Sequence, residues 1–195
     1  MENAKNPMEF VGDGKLIELA ITGDRPALNH IFQKYRDDAY RVAYRLLGNK
    51  EDALDAIQEG FTKVFLKLET FEFRSSLKTW ILRIVTNSAL DYGRKRQRAK
   101  TLVERAGSEE FQESPPRMVE DPANVAEYSE MRSSLNGALM QLPEAQRSAF
   151  TLHVDGGLSY AEIAEVLEIS IGTVMSRLFY ARQKLKGLLS WQVES

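Results

Sequence analysis

The sequence has 195 residues, of which 43% are hydrophobic and 28% are charged, and its formal net charge is −2. This composition is typical of a globular protein with one large or two small domains. The lack of cysteine excludes disulfide bonds and thiolate zinc sites. Neither an apolar run of about 20 residues nor a signal-peptide pattern occurs, so we expect a cytoplasmic protein that is not inserted in a membrane.

The near-neutral net charge hides two basic segments and one acidic segment. Residues 80–100 contain six basic side chains and a single acid, Asp91, and residues 171–189 contain four basic side chains and no acid. Eight acids lie between residues 104 and 130. This segregation favours local contacts of the basic segments with a polyanion, although two solvated helix faces would produce the same pattern.

Apolar residues recur at intervals of three and four along the chain, which predicts helices and no strand. A first helix around residues 16–20 ends at Gly23, and Pro26 suits the first turn of the second helix. Gly48 is expected to end that second helix in a left-handed conformation. A third helix is predicted over residues 51–68. A fourth follows over residues 77–98, after a loop at residues 70–76.

The helical pattern fails after residue 98, where serine, proline and acidic residues predict a flexible linker. Helices are predicted to resume near Val125. The expected fold is all-α, with two small helical domains joined by a flexible acidic linker. The predicted boundaries are a tail at 1–11, a first domain at 12–98, a linker at 99–124 and a second domain at 125–191.

The second domain is predicted to contain a helix-turn-helix. Ser159 followed by Glu162 forms a capping-box pattern at the start of a short helix, and Ser170 is a good N-cap for the next one. That last helix has an inner apolar stripe, predicted to be buried: Ile171, Val174, Leu178, Ala181, Leu185 and Leu188. Its outer side exposes Phe179 and Tyr180, which could contact thymine methyl groups or the backbone in a major groove. The alternative is a helical hairpin with an aromatic patch for a protein partner.

Two helices of the first domain also carry candidate surfaces. The third helix has a polar face with Asp55, Gln58, Glu59 and Thr62. The fourth combines Trp80 and Asn87 with a basic end, and such a mixture suits single-stranded or melting DNA. The residues alone slightly favour the alternative, in which the aromatic side chains belong to the core and the helix end is merely basic.

Four segments resemble the extracytoplasmic-function sigma factors of bacteria. They read LIELAITGDRPALNHIFQKY, DALDAIQEGFTKVF, FEFRSSLKTWILRIVTNSALDYGRKR and LPEAQRSAFTLHVDGGLSYAEIAEVLEISIGTVMSRLFYARQKL, and they stand in the family's order. The resemblance covers about residues 12–189. It implies a sigma factor that binds core RNA polymerase, reads two promoter elements and assists DNA opening, without being an enzyme and without a cofactor, metal or small-molecule substrate.

The resemblance also implies roles for individual residues. The clamp helices of the largest polymerase subunit would bind Asp55, Gln58, Glu59 and Thr62. The downstream promoter element and its melting would involve Phe71, Phe73, Arg74, Ser75, Trp80, Arg83, Asn87, Asp91, Arg94, Lys95, Arg96 and Arg98. The upstream element would be read by Gly172, Thr173, Met175, Ser176, Arg177, Phe179, Tyr180 and Lys184. The second domain would also meet the polymerase flap region, and an anti-sigma factor is an expected partner.

The chain departs from the family pattern at four of these places. The downstream loop usually has glycine at the position of Phe73 and often a basic residue at that of Glu72. Basic residues are common at the positions of Met175 and Tyr180, so we expect an upstream element that depends less on guanine. The alternatives are a conventional helix-turn-helix regulator, which needs a self-association or ligand surface, and an adaptor that mimics a sigma factor to titrate its inhibitor.

Overall fold

The computed structural model describes residues 13–105 and 134–189. The described residues form helices without a strand, as the sequence predicts, and they build two helical domains. The helices are α1 (Asp13–Ile21), α2 (Arg25–Leu47), α3 (Lys50–Lys67), α4 (Leu77–Arg105), α5 (residues 134–140), α6 (Glu144–Val154), α7 (Tyr160–Leu167) and α8 (Ile171–Leu189), with a 3₁₀ turn at Leu68–Thr70. The predicted tail and the predicted helix start near Val125 lie outside the described residues.

The breaks between the first helices are confirmed where the sequence predicts them. The side chain of Asp24 caps α2 by accepting a hydrogen bond from the Ala27 N–H at 2.8 Å, and proline occupies the first turn. Gly48 ends α2 with φ +81°, a conformation that glycine adopts without steric cost. Asn49 then caps α3 by accepting the Asp52 N–H at 2.8 Å.

Helix α4 is longer than predicted. It continues to Arg105, whereas the predicted helix ends at Arg98 and the predicted linker begins at the next residue. Residues 99–105 contain neither glycine nor proline and include alanine, lysine, leucine, glutamate and arginine, which favour helix. The acidic and proline-rich remainder of the predicted linker lies outside the described residues.

The first domain is held together by the contact of α3 with α4. Gly60 lies at the crossing: a Cβ atom there would stand 3.1 Å from Val85 Cγ2 and 3.3 Å from Val85 Cα. The backbones therefore approach more closely than a larger residue would allow. Around this crossing the two helices bury mainly small and branched apolar residues: Ala53, Ala56, Ile57, Phe61, Val64, Ile81, Leu82 and Ala89.

The helix-turn-helix of the second domain is present. Ser159 and Glu162 form the predicted capping box of α7, and Ser170 Oγ accepts the Thr173 N–H at 3.1 Å at the start of α8. The prediction that Ile171 is buried is wrong, because its side chain is 50% exposed. Helical side chains lean toward the N-terminus, so the first residue of α8 projects past the core that covers Val174 and Leu178.

Candidate nucleic-acid interface

The outer surface of α8 consists of two parallel rows of exposed residues. Ile171, Met175 and Phe179 form one row at intervals of four, and their side chains are 50%, 55% and 56% exposed. Gly172, Ser176 and Tyr180 form the second row, with Tyr180 59% exposed. The rings of Phe179 and Tyr180 meet edge to face at 5.4 Å. These aromatic residues are therefore outside the core, as the sequence predicts for a surface that meets a partner.

The basic residues of the α8 surface lie at its margins. Thr173 and Arg177 are half-buried on the flank beside Tyr180, and Lys184 continues that flank as an exposed residue. On the opposite flank, Arg182 Nη2 donates a hydrogen bond to the Tyr160 hydroxyl at 3.4 Å. The two margins are therefore basic, and the centre is mixed, with Phe179 and Tyr180 beside the exposed polar residues Ser176 and Gln183. Arg182 is not among the predicted DNA-binding residues. It lies two residues before Lys184 and therefore on another side of the helix.

One side of α4 collects half of the twelve residues that are predicted to act on the downstream element. Residues 80, 83, 87, 91, 94 and 98 follow one another at intervals of three and four and therefore share one side of the helix. This surface extends for about 27 Å along the axis. Asn87, Asp91, Arg94, Lys95 and Arg98 are exposed on or beside it.

Arg96 differs from its basic neighbours because it is engaged inside the domain. Its guanidinium forms an ion pair with Asp52, whose residue surface is only 8% exposed. The side-chain amide of Asn49 donates a second hydrogen bond to the same carboxylate oxygen, at 2.5 Å. This arrangement ties α4 to the start of α3 and gives Arg96 a structural role. Its contact with DNA stays a prediction.

The loop between the 3₁₀ turn and α4 presents one exposed aromatic ring on a buried aromatic base. Phe71 is buried, and its ring centroid lies 4.8 Å from Phe73 and 5.3 Å from the half-buried Trp80. Phe73 is 60% exposed and has φ +56°, the left-handed region that few non-glycine residues adopt. Phe73 therefore has the backbone conformation that the glycine usual at this position would favour. The carboxylate of Glu72 lies 2.8 Å from Arg74, so the loop offers less free positive charge than its arginine suggests.

The predicted polymerase surface on α3 is exposed and internally hydrogen-bonded. Asp55, Gln58 and Thr62 are exposed, and Glu59 is partly exposed beside them. The ammonium group of Lys63 lies 2.6 Å from Glu59, and its hydrogen bond lowers the pKa of that carboxyl. The Tyr92 hydroxyl donates to Asp55 at 3.1 Å. Glu59 therefore keeps its negative charge at neutral pH.

The second domain packs against the first through a shared apolar core, which includes Leu152, Leu158 and Ile163, and through ion pairs with α4. Arg83 pairs with Glu168 in the turn of the helix-turn-helix, and Arg94 lies 2.9 Å from Glu144 at the start of α6. A cleft of about 490 Å³ lies beside the second contact, between the end of α4 and helices α5 and α6. Carboxylates of the second domain thus bind two arginines that are predicted to contact DNA.

The described residues contain neither a candidate metal-binding cluster nor a candidate membrane-spanning helix. Within residues 13–105 and 134–189, no group of three or more histidine, cysteine, aspartate or glutamate residues could hold a metal ion. No helix in those ranges combines the length and apolarity needed to cross a bilayer.

Comparison with known proteins accounts for both domains. The family model for sigma-70 region 2 matches residues 31–99, and that for sigma-70 region 4 matches residues 132–185. The chain is 30% identical over 175 residues to the ECF RNA polymerase sigma factor SigW of Bacillus subtilis, covering 88% of this chain and 94% of that protein. It is 32% identical over 182 residues to the ECF RNA polymerase sigma-E factor of Haemophilus influenzae, covering 91% and 95%.

The chain belongs to the ECF RNA polymerase sigma factors. It is therefore a promoter-directing sigma factor, and the comparisons do not favour a conventional regulator or an adaptor. A solved structure of similar fold is the sigma factor RpoE in complex with the anti-sigma factor NepR from Bartonella quintana, with a TM-score of 0.63 and 25% identity. It covers 91% of this chain and 96% of that one. The resemblance seen in the sequence is confirmed at the level of family and fold.

One contact that the sequence did not predict couples this sigma factor's two domains through a cap. Glu162 accepts hydrogen bonds from the Ser159 N–H at 2.9 Å and from the Thr79 hydroxyl of α4 at 2.7 Å. The Ser159 N–H is the larger cause of the lowered pKa of Glu162, and the Thr79 hydroxyl lowers it further. A carboxylate that is better bound in the folded state stabilises the protein above its unfolded pKa, and this contribution is lost as the pH falls through the folded pKa.

We expect Glu162→Gln to lower the free energy of unfolding by about 1 kcal/mol at pH 7, since a charged acceptor binds more strongly than an amide. The difference between the two proteins should shrink as the pH falls below the usual carboxyl pKa of 4.5. Denaturant unfolding across the pH range measures it. Thr79→Val removes the α4 contact together with the bond between the Thr79 and Ser76 hydroxyls, and its pH-dependent part should be smaller than that of Glu162→Gln. A pH-independent difference for Glu162→Gln would contradict this account.

Proposed function

We propose that this sigma factor binds core RNA polymerase through the outer face of α3 and contacts promoter DNA at two places. The loop at residues 71–75 and the side of α4 would act on the downstream element, and α8 would read the upstream element. The observation that carries this proposal is the pair of exposed faces on α4 and α8, each in a domain that matches the corresponding sigma-70 region.

The proposed binding surfaces indicate which steps of transcription initiation belong to this chain and which belong to the core enzyme. The chain contributes promoter choice and assistance in opening the duplex, whereas the core enzyme, working in the cytoplasm, performs polymerisation. Two tethered domains with weak individual affinity gain avidity only when the promoter elements are correctly spaced. Phosphate contacts supply much of such affinity, so binding by each domain alone is expected to be weak and strongly dependent on salt.

Promoter binding requires the two domains to separate. In the packed arrangement Arg83 and Arg94 pair with Glu168 and Glu144, while both arginine side chains stay partly exposed. A carboxylate and a phosphate compete for the same guanidinium, because both accept its hydrogen bonds. Exposed ion pairs of this kind are each worth at most about 1 kcal/mol, so the shared apolar core is the larger part of the contact that polymerase and DNA must displace.

An anti-sigma factor is part of the proposal. The structurally similar RpoE is bound to the anti-sigma factor NepR, and its fold matches this chain over both domains. A protein inhibitor would hold this sigma factor in an inactive arrangement, such as the one in which its two domains pack together.

The direct experiment combines the purified chain with core RNA polymerase and genomic DNA and maps transcript start sites. We expect new starts that share two sequence elements at a constant spacing. An absence of both core binding and new starts would overturn the proposal.

The α3 surface gives a prediction of its own. Changing Gln58 and Glu59 to alanine should weaken core binding at least about tenfold, the loss of two or three good polar contacts. Both side chains point away from the core, so the melting temperature should stay close to that of the unchanged protein. Fluorescence titration with core polymerase measures the affinity. The control changes Glu18 and Glu69, two exposed acids elsewhere on the domain, to alanine. Equal losses in both proteins would argue for general electrostatic attraction instead of a defined surface.

A further inference from the structure

The apolar row on α8 is the part of the molecule whose chemistry fits its predicted ligand least obviously. Ile171, Met175 and Phe179 occupy the N-terminal half of a recognition helix, where side chains of such helices usually contact base edges. All three side chains are at least half exposed. Exposure of three such side chains to water is unfavourable, because apolar surface is more stable when it is buried. An exposed apolar row of this kind therefore indicates a surface that binds a partner.

The hydroxyl groups near this row are already used within the helix, and the nearest exposed amide is that of Gln183, one turn beyond Phe179. Ser176 Oγ donates to the Thr173 carbonyl at 3.0 Å. The hydroxyls of Ser170 and Thr173 bond to one another at 2.9 Å. Guanine is usually selected by a bidentate arginine or lysine and adenine by asparagine or glutamine, and the row contains none of these. The base-edge group that apolar side chains can select is the 5-methyl group of thymine.

The charges beside the row favour DNA over a protein as its occupant. Arg177 and Lys184 stand on one flank of the outer surface and Arg182 on the other. A major groove is bordered by a phosphate strand on each side, so a helix lying in it meets negative charge at both flanks and bases at its centre. Basic residues on both margins of α8 match that cross-section, and the apolar row reaches toward its centre through Phe179.

We propose that Ile171, Met175 and Phe179 select thymines in the upstream promoter element by packing on their 5-methyl groups. From the first to the third residue the row is about 12 Å long at 1.5 Å per residue, which corresponds to about three or four base pairs at 3.4 Å each. The upstream element therefore contains a short thymine-rich stretch on the strand that faces this row. This inference rests on the proposed function, because it requires α8 to lie in the upstream element.

The test removes methyl groups without changing hydrogen bonds. The chain and core polymerase first select upstream elements from a promoter library randomised in that region. Each thymine of the selected element is then replaced by uracil, and open-complex formation is measured at limiting holoenzyme. Each methyl that contacts the row should be worth about fourfold, the effect of burying one methyl group. Uracil in the spacer between the elements serves as the control and should have no effect.

Protein variants complete the cycle. Phe179→Ala and Met175→Ala should weaken binding to the thymine-containing promoter and should lose the penalty for uracil, since the methyl group then has no partner. Both side chains are exposed, so the variants should keep the melting temperature of the unchanged protein.

Three results would overturn the inference. They are a guanine-rich selected element, an unchanged rate with uracil, and variants that alter binding of a protein inhibitor while leaving the promoter rate unchanged. New starts with core polymerase would still occur in each of these cases, whereas failure of the proposed function would remove the starts altogether.

Discussion

Arg96→Ala is expected to lower the free energy of unfolding by about 2 kcal/mol. The change leaves the carboxylate of Asp52 without its ion-pair partner at a position where only 8% of the residue surface reaches solvent. Breaking a fully buried pair costs roughly 3–5 kcal/mol. The smaller value applies here because the Arg96 side chain is 39% exposed and the Asn49 amide still donates to the same carboxylate. Urea denaturation at pH 7 measures the loss.

Arg98→Ala is the matched control, because it removes the same type of side chain two residues away at an exposed position. It should leave the unfolding free energy within about 0.5 kcal/mol of the starting value. If Arg98 holds a phosphate, the same change should weaken promoter binding and reduce the salt slope by about one unit. Equal stability of the two variants would show that the Asp52 ion pair does not anchor α4. Asp52→Asn combined with Arg96→Ala should recover part of the loss, since no buried charge then remains unpaired.

Arg96 and Arg98 also show which kind of contact the sequence alone does not predict. The sequence predicts a basic helix end, and the spacing of residues 94–98 places each side chain at a definite angle around α4. It does not predict which of them meets an acid from another helix. Asp52 lies in the first turn of α3, and its burial depends on the packing of α3 on α4, a contact between residues 44 positions apart. Helix periodicity carries no information about such pairs.

Local signals predicted more. The left-handed end of α2 at Gly48, the capping box at Ser159 and the proline start of α2 depend on residues within one turn of each other, and all are confirmed. Ile171 was assigned to the buried stripe because its angle around α8 matches that of Val174. Ile171 does lie on the side of α8 that carries the buried stripe. It is exposed because it is the first residue of the helix, and no core residue extends far enough along the axis to cover it.

The packing of the two domains lay beyond sequence analysis for a different reason. Exposed acids such as Glu144 and Glu168 are common at helix starts and turns, and nothing local marks them as partners of arginines on α4. Each exposed ion pair contributes little stability, so the residues around it need not follow a recognisable sequence pattern.

The α3–α4 crossing carries the other large effect. Gly60→Leu is expected to destabilise the first domain by about 3 kcal/mol or more, the upper part of the range for overpacking. Its Cβ atom alone would stand 3.1 Å from Val85 Cγ2 and 3.3 Å from the Val85 Cα, and backbone cannot rotate out of the way as a side-chain end can. Thermal and urea unfolding measure the change. Gly137→Leu is the control, since a Cβ atom there meets nothing within 4 Å and leucine favours helix over glycine.

The consequence for function follows from what the two helices carry. The outer face of α3 is the proposed polymerase surface, and α4 presents the downstream DNA side, so the crossing at Gly60 fixes one surface relative to the other. Gly60→Leu should therefore reduce promoter opening more than it reduces binding of the upstream element by the second domain. Permanganate reactivity of the melted region and upstream footprinting measure the two effects separately. A variant that keeps full opening at 25 °C despite its lost stability would show that the spacing of α3 and α4 can change without misaligning polymerase and promoter.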